Sequence, residues 1–441
     1  MTRRLIAAIG AGLSVRILLI AGAWTRRGVD AFLVPDSSSY LGLAERLTAG
    51  LGFVDRTGKA ELFRTPGYPL LLAAGSTHPV VVALVSQLLM TAGIVVLTFL
   101  LARRMLDDDR IAVVCAFVVA LEPTMLTWSL KVMPETLLTL ALVAFAYAAL
   151  RAFDTRETRW IVAAAFALSL AAYVKPIAWP LVILLCALSL LRWRMAAIFI
   201  LTCALLLVPW HVRNARRAGY PGFSTLIARA AYISAGGSIL AQREHRPYAE
   251  IHEELVDRAG VRHSEGDPSQ YGRQGLTLLA SDPLGYTKTH VKGMLRTLFD
   301  PGATEYLRLF RLYGDGPPPS FAAQGIGGVA RQYPLAFWLS VGLAVVLAPL
   351  VLLPVVGLWR GRSVGYLLLA VVVAYLITAG GGVPGYSRFR APAVPLLVVM
   401  SAVVVDELRR RTFTPGLTTE SQRAQRRTGK IKGNDFLKHS Y

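Results

Sequence analysis

Two acidic residues stand at the ends of apolar runs, where a carboxylate is expensive. Asp36 lies beyond the first run, in VPDSSSYLGLAERLTAGLGF. Its carboxylate can cap the helix predicted to follow, and it can serve as a general base; the two roles are compatible. Tyr40 falls four residues on, on the same helix face. Glu135 follows a proline in LEPTMLTWSLKVMPETLLTL, a stretch that also holds Glu122. Carboxylates next to hydrocarbon are kept with a partner or a function. At a helix start Glu135 gains from the helix dipole, and Lys131 is its nearest expected partner.

The basic candidates occupy similar places. Lys175, in AAYVKPIAWPL, separates two short apolar runs and can either snorkel to the interface or hold a phosphate. Arg213 follows a run ending in VPWHVRNARRAGYPGFST, and Arg388 and Arg390 open another in GYSRFRAPAVPLL. Arginines here either anchor helices in the interface or bind an anionic phosphate. Arg64 opens the turn Arg-Thr-Pro-Gly-Tyr-Pro and joins the candidate substrate contacts. His245, His252 and His263 lack the spacing of a helical zinc pair. Cys115, Cys186 and Cys203 all lie in apolar runs and read as small buried hydrophobes.

The elements that must position these residues are membrane helices. The 441 residues are 54% hydrophobic and 17% charged, against about 25% charged in an average soluble protein. Residues 80–101, 333–358 and 363–379 carry no charge. Uncharged runs of roughly 18 residues read as transmembrane helices, because in hydrocarbon the backbone must satisfy its own hydrogen bonds. An all-α polytopic protein is therefore expected, with spans at 5–24, 80–101, 111–128, 132–150, 160–174, 176–191, 195–210, 333–357, 363–379 and 389–405. Pro123, Pro134 and Pro176 are plausible breaks. The N-terminal run is interrupted by Arg16 and has no clean cleavage site, so it reads as an uncleaved first span.

The net charge of +20 does not indicate nucleic acid, since many basic residues form short clusters between apolar runs. If the ten spans alternate, Arg3/Arg4, Arg103/Arg104/Arg110, Arg151/Arg156/Arg159, Arg192/Arg194, Arg360/Arg362 and Arg409 to Arg411 share one side. The positive-inside rule makes that side cytoplasmic, with both termini. The candidate site residues then face the other side of a cell inner (plasma) membrane. Four regions follow: a membrane module over 1–210 with the first loop at 25–79, an outer helical segment over 211–332, further spans over 333–405, and a basic, disordered cytoplasmic tail over 406–441. Within the segment 211–332, a Gly/Pro break is expected at Gly314 to Pro319.

PDSSSYLGLAERLTAGLGF followed by RTPGYPLLLA, together with VPWHVRNARRAGYPGFST and YSRFRAPAVPLL, resembles the polyprenyl-phosphate-dependent glycosyltransferases of the GT-C superfamily. The pattern is most similar to the bacterial family-39-like enzymes, which include protein O-mannosyltransferases and the lipid A aminoarabinose transferase. The resemblance extends over residues 1 to 405 and rests on the order of loose motifs and on topology.

The resemblance implies a GT-C-like helical bundle, a sugar donor carried on polyprenyl phosphate in the membrane lipid, an extracytoplasmic acceptor, and transfer with inversion. It implies Asp36 as base and Glu135 as the second acid, with Lys175, Arg213 and Arg388 at the donor phosphate. Tyr40, Arg64 and Arg390 complete the expected substrate contacts. Many relatives carry Asp-Glu in the first loop where this chain has Asp36-Ser37, so no cofactor is assigned, and a divalent metal has lost one expected ligand. Elementary chemistry agrees. A departing phosphate gains negative charge that Lys and Arg would stabilise, and one carboxylate can take the acceptor's proton. A transporter or lipid-linked-sugar flippase is the alternative; it would be expected to show paired halves with broken midplane helices, and no internal repeat is visible.

Overall fold

In the computed structural model, the described residues are 2–413 apart from 76, 107, 190–192, 261–265, 314–318, 360–362 and 384. Arg192, His263, Arg360, Arg362, Gly314 to Pro318 and the tail from 414 lie outside them. Among the described residues the chain is helical, and the one β feature is an isolated bridge between Val54 and Ala60.

The N-terminal half contains α1 (Thr2–Arg27), α2 (Ser37–Thr48), α3 (Gly67–Ala73), α4 (Pro79–Met105), α5 (Asp109–Leu121), α6 (Pro123–Trp128), α7 (Glu135–Thr155), α8 (Thr158–Val174), α9 (Trp179–Ser189) and α10 (Trp193–Ala218). A helical segment follows, with α11 (Leu226–Arg229), a π turn, α12 (Gly237–Arg243), α13 (Tyr248–Arg258), α14 (Pro268–Ser281), α15 (Pro283–Phe299), α16 (Ala303–Phe310) and α17 (Phe321–Gln332). The last elements are α18 (Pro334–Leu358), α19 (Val364–Ala379), the short α20 (Ser387–Arg390) and α21 (Val394–Phe413).

Among the described residues, six helical stretches are long and apolar enough to cross a membrane: Arg3–Phe32, Pro79–Met105, Glu135–Thr155, Arg194–Ala218, Pro334–Leu358 and Ser387–Arg410. Thr158–Val174, Pro176–Ser189 and Val364–Ala379 are apolar but shorter. The run expected as a span over 111–128 is divided. α5 stops at Leu121, the Glu122 side chain accepts from the Met125 amide at 2.7 Å, and Pro123 begins α6. Proline lacks the donor an uninterrupted helix needs and suits a first turn. The span expected over 132–150 likewise begins only after Pro134, and Pro176 opens a 3-10 turn before α9. α21 continues to Phe413, beyond the boundary expected at 406.

The helices pack on small residues. α7 and α8 pack together, and both bury alanines, among them Ala141, Ala146, Ala164, Ala165, Ala171 and Ala172. Alanine lets helix backbones approach where lipid supplies no hydrophobic drive between helices. Large apolar side chains such as Leu18, Leu89, Leu201, Leu205 and Val345 point outward, as expected of a lipid-facing surface. Arg16, in the middle of α1, is fully buried. Its guanidinium donates to Ser129 Oγ at 2.7 Å, Ala120 O at 2.6 Å and Gly12 O at 3.0 Å, tying α1 to the ends of α5 and α6. The three cysteines are free, and Cys115 and Cys203 are buried.

Ion pairs mark the two ends of the bundle. At one end Arg103 pairs with Asp109, Arg104 with Asp154, and Arg409 with Asp108. At the other end α1, α8 and α10 finish, α4, α7 and α21 begin, and the candidate site residues gather.

Candidate active site

The first loop is stitched to the α6–α7 linker, and this stitching places Asp36. The Val132 amide donates to Phe32 O at 2.9 Å. Lys131 Nζ donates to Ala31 O at 2.8 Å. Ser37 Oγ donates to Val132 O and accepts from the Val34 amide, both at 3.0 Å. Each bond satisfies a polar group that would otherwise be buried alone. Lys131 is thereby committed to the loop and is not the partner of Glu135. Asp36 occupies the position before α2, yet its side chain makes no capping bond. Its two oxygens are engaged elsewhere: Arg64 Nη2 donates to Oδ1 at 2.9 Å and Arg388 Nη1 to Oδ2 at 2.7 Å.

Arg64 is held on several sides. Glu61 Oε1 accepts from the amides of Phe63 and Arg64 and fixes the turn. The guanidinium lies 4.6 Å from the ring centroids of both Tyr40 and Phe63. It also donates to Tyr40 Oη at 3.1 Å and Ser39 Oγ at 3.2 Å. Tyr40 meets Tyr68 edge to face, on a small apolar cluster that also includes Phe32, Leu72 and Met133.

Glu135, in the first turn of α7, binds two cations through one oxygen. Lys175 Nζ donates to Oε1 at 2.8 Å and Arg388 Nε at 2.5 Å. Its Oε2 is buried without a hydrogen-bond partner. Lys175 is delivered by the end of α8, and Arg388 by α20, which is fastened where the Ser387 amide donates to Asp300 Oδ2 at 2.8 Å. Phe389 lies beneath both cations, 5.0 Å from Lys175 Nζ and 5.7 Å from the Arg388 guanidinium. Trp128 adds a second aromatic face at 5.8 Å, and Arg388 donates to Tyr386 Oη at 3.3 Å.

The result is one array, Arg64–Asp36–Arg388–Glu135–Lys175, with three cationic and two anionic groups and so a net charge of +1. The Asp36 side chain is 38% exposed, whereas Arg64, Lys175, Arg388 and Glu135 range from 12% down to 1%. Asp36 is therefore the member of the array open to an incoming molecule. Burial raises its pKa, but the Arg64 and Arg388 guanidiniums outweigh burial and hold it at about 2. A divalent cation between the acids would meet three positive side chains, so the donor set does not fit a metal. Among the described residues no three His, Cys, Asp or Glu side chains converge as a metal-binding group.

Six of the eight residues singled out in the sequence thus come together: Asp36, Tyr40, Arg64, Glu135, Lys175 and Arg388. Arg390 is fully buried away from this array, donating to the carbonyls of Thr297, Leu298 and Asp300 and to Thr124 Oγ1. It locks α15 and α6 to the start of the last span. Arg213 donates to Glu61 O at 2.7 Å and Phe53 O at 2.5 Å, and lines a neighbouring cavity of about 1140 Å³. Sequence reasoning passed over Ser39, Trp128, Tyr386 and Phe389. Tyr386 and Phe389 flank Arg388 in the same motif, which was the available signal; nothing local marks Trp128.

Residues 70–212 match the model of the dolichyl-phosphate-mannose-protein mannosyltransferase family. That segment carries Glu135 and Lys175; Asp36, Arg64 and Arg388 lie outside it. The matched segment is about a third of the chain. No curated protein matches by sequence. Among solved structures, the apo oligosaccharyltransferase of Archaeoglobus fulgidus aligns at 14% identity with a TM-score of 0.46, covering 91% of this chain and 51% of that one. ArnT from Cupriavidus metallidurans, bound to undecaprenyl phosphate, aligns at 15% identity with a TM-score of 0.44, covering 89% and 77%. The chain spans about half the length of the archaeal enzyme.

Proposed function

We propose that this chain is an integral membrane glycosyltransferase that moves a sugar from a polyprenyl-phosphate-linked donor to an extracytoplasmic acceptor, with inversion. The observation that carries the reading is the partly exposed Asp36 carboxylate backed by a buried array of three cations. The basic clusters at the opposite end of the bundle support an extracytoplasmic site, by the positive-inside rule.

The proposed step uses these groups as follows. The acceptor hydroxyl attacks the anomeric carbon from the face opposite the phosphate. The bond from that carbon to the phosphate oxygen breaks, and its electron pair leaves with the polyprenyl phosphate. Asp36 takes the hydroxyl proton. The departing phosphate gains a negative charge, which Arg388 and Lys175 stabilise from a buried, low-dielectric setting. Glu135 touches neither reacting atom and acts as a positioning residue, holding both cations on one oxygen.

A carboxylate held at about pKa 2 is a poor base. The geometry supplies a remedy. Arg388 bonds Asp36 as well as Glu135, so a donor phosphate that draws its Nη1 away removes one of the two cations depressing Asp36. Losing that neighbour raises the basicity of Asp36, coupling base strength to donor occupancy. The test is Asp36→Asn, assayed as transfer of radiolabelled sugar from polyprenyl phosphate in membranes. The expected loss is roughly 10²–10⁴-fold at unchanged expression. Activity like the wild type would sink the assignment.

A further inference from the structure

The cavity beside the array has features that donor chemistry does not account for. Its walls come from the first loop, from the end of α10 and from the helical segment after it. They are zipped together where Ser224 Oγ donates to Phe63 O at 2.8 Å and the Thr225 amide to Leu62 O at 2.9 Å. At one edge it is lined by Ser38, Ser39 and Arg64, and Arg64 ties that edge to Asp36.

The lining is strongly basic. Arg46, Arg56, Arg213, Arg217 and Arg229 all face it. None of these five forms an ion pair with a described residue. Arg46 and Arg213 are instead aimed by neutral acceptors, Val54 O for the first and Phe53 O, Glu61 O and Asn214 Oδ1 for the second. The Arg229 guanidinium lies over Phe63, 4.2 Å from its centroid, with its Nε buried and lacking a hydrogen-bond partner. Arg217 follows Arg213 by one helical turn on α10 and is solvent-exposed. Two acids stand in the wall, each accepting from the loop backbone, Asp55 from the amides of Thr57 and Lys59 and Glu61 from those of Phe63 and Arg64; the basic side chains outnumber them and leave the lining net positive. A cluster of guanidiniums without carboxylate partners among the described residues, three of them held by carbonyls or an aromatic ring, suits a multiply charged anion. About 1140 Å³ is room for a headgroup or a short glycan.

We infer that this groove binds the acceptor, and that the acceptor bears phosphate groups. Calling the ligand an acceptor rests on the glycosyltransferase reading. The anion site itself rests on the arginines alone. In this arrangement Asp36 bonds Arg388, which shares Glu135 with Lys175 and serves the donor phosphate, and Arg64, which lines the groove for the acceptor.

The purified full chain in neutral detergent is titrated calorimetrically with inorganic pyrophosphate, with phosphatidic acid in mixed micelles, and with undecaprenyl phosphate. The double variant Arg217→Ala/Arg229→Ala is expected to weaken pyrophosphate binding about tenfold or more, while undecaprenyl phosphate binding holds. A parallel loss for phosphatidic acid supports a lipid-borne phosphate acceptor, and a loss confined to pyrophosphate supports a soluble phosphorylated glycan. Unchanged pyrophosphate binding overturns the inference. So does an equal weakening of undecaprenyl phosphate, which would hand the groove to the donor. If the double variant misfolds, Arg217→Glu alone decides, since that side chain is exposed and is expected to weaken pyrophosphate by a similar factor. Absence of donor cleavage by the wild type would defeat the transferase reading and leave the pyrophosphate result standing.

Discussion

Arg388 Nη1 donates to Asp36 Oδ2 at 2.7 Å, joining residues 352 positions apart in the chain. The first is carried on a short helix before the last span, and the second on a loop after the first span. Because the same guanidinium also bonds Glu135, it connects the exposed acid to the buried one. Several outcomes depend on that double attachment.

Arg388→Lys keeps the charge but loses the fork that reaches both acids. The planar guanidinium serves two acceptors along fixed directions, and an ammonium on a flexible stem does not. Transfer should fall by roughly 10–100-fold with a raised donor KM, in line with the loss of about one to two charge-assisted bonds. Steady-state kinetics on membranes separate the two effects. A lysine variant with unaltered donor KM would remove Arg388 from the donor site.

Lys175→Ala leaves Glu135 with Arg388 alone. Removing one member of a buried ionic group costs about 3–5 kcal/mol when the remaining charge has no partner, and less here because Arg388 stays. The expected result is a lower unfolding temperature in detergent together with weaker apparent donor affinity. Unchanged donor dependence would make Lys175 an anchor only.

The pH dependence follows from the depressed pKa of Asp36. A carboxylate whose folded pKa lies below its unfolded value of 3.8 stabilises the fold above about pH 4 and loses that contribution as pH falls through about 2. The acid limb that Asp36 imposes on kcat/KM, which reports the free enzyme, should thus lie below pH 4. If donor binding draws Arg388 away, the corresponding limb of kcat should lie higher. Coincident limbs in the two profiles would refute the coupling of base strength to donor occupancy.

Gly67 opens α3 against the backbone of α8. A Cβ there would come within 2.8 Å of Tyr173 O and 3.0 Å of the Val174 nitrogen, two residues and one residue before Lys175. Backbone atoms have little room to yield. Gly67→Ala is expected to reduce transfer at least as much as it reduces stability, by shifting Lys175. Activity assays paired with thermal unfolding in detergent check this; a fully active, destabilised variant would dissociate the two.

Arg16→Ala deletes a guanidinium buried between α1 and the α5–α6 break and leaves Ser129 Oγ and two carbonyls short of a donor. A cost of about 2–4 kcal/mol is expected, with donor KM unaltered in the folded fraction. Detergent unfolding curves give the first quantity and initial rates the second.

The apolar runs, the proline breaks and the basic clusters were legible in the sequence because each is a local property. An uncharged run of sufficient length has to be helical in hydrocarbon, and Pro123, Pro134 and Pro176 act on the backbone where they stand. The acids and bases at the run ends were legible for the same reason, since charge beside hydrocarbon is costly wherever the chain goes next. Partnership was not legible. Lys131 is near Glu135 in the chain but is turned to Ala31 O, while Lys175 and Arg388 reach Glu135 from α8 and α20. Asp36 looked like a helix cap because capping is a local pattern, and the fold gave both its oxygens to arginines from distant segments. Arg390 and Arg388 share one motif, yet one became a structural tie and the other the centre of the ion-pair array. Residue type and spacing determined that charges would stand at the membrane boundary. Only the packing of helices far apart in sequence decided which of them meet, because an ion pair depends on separation in space and on burial.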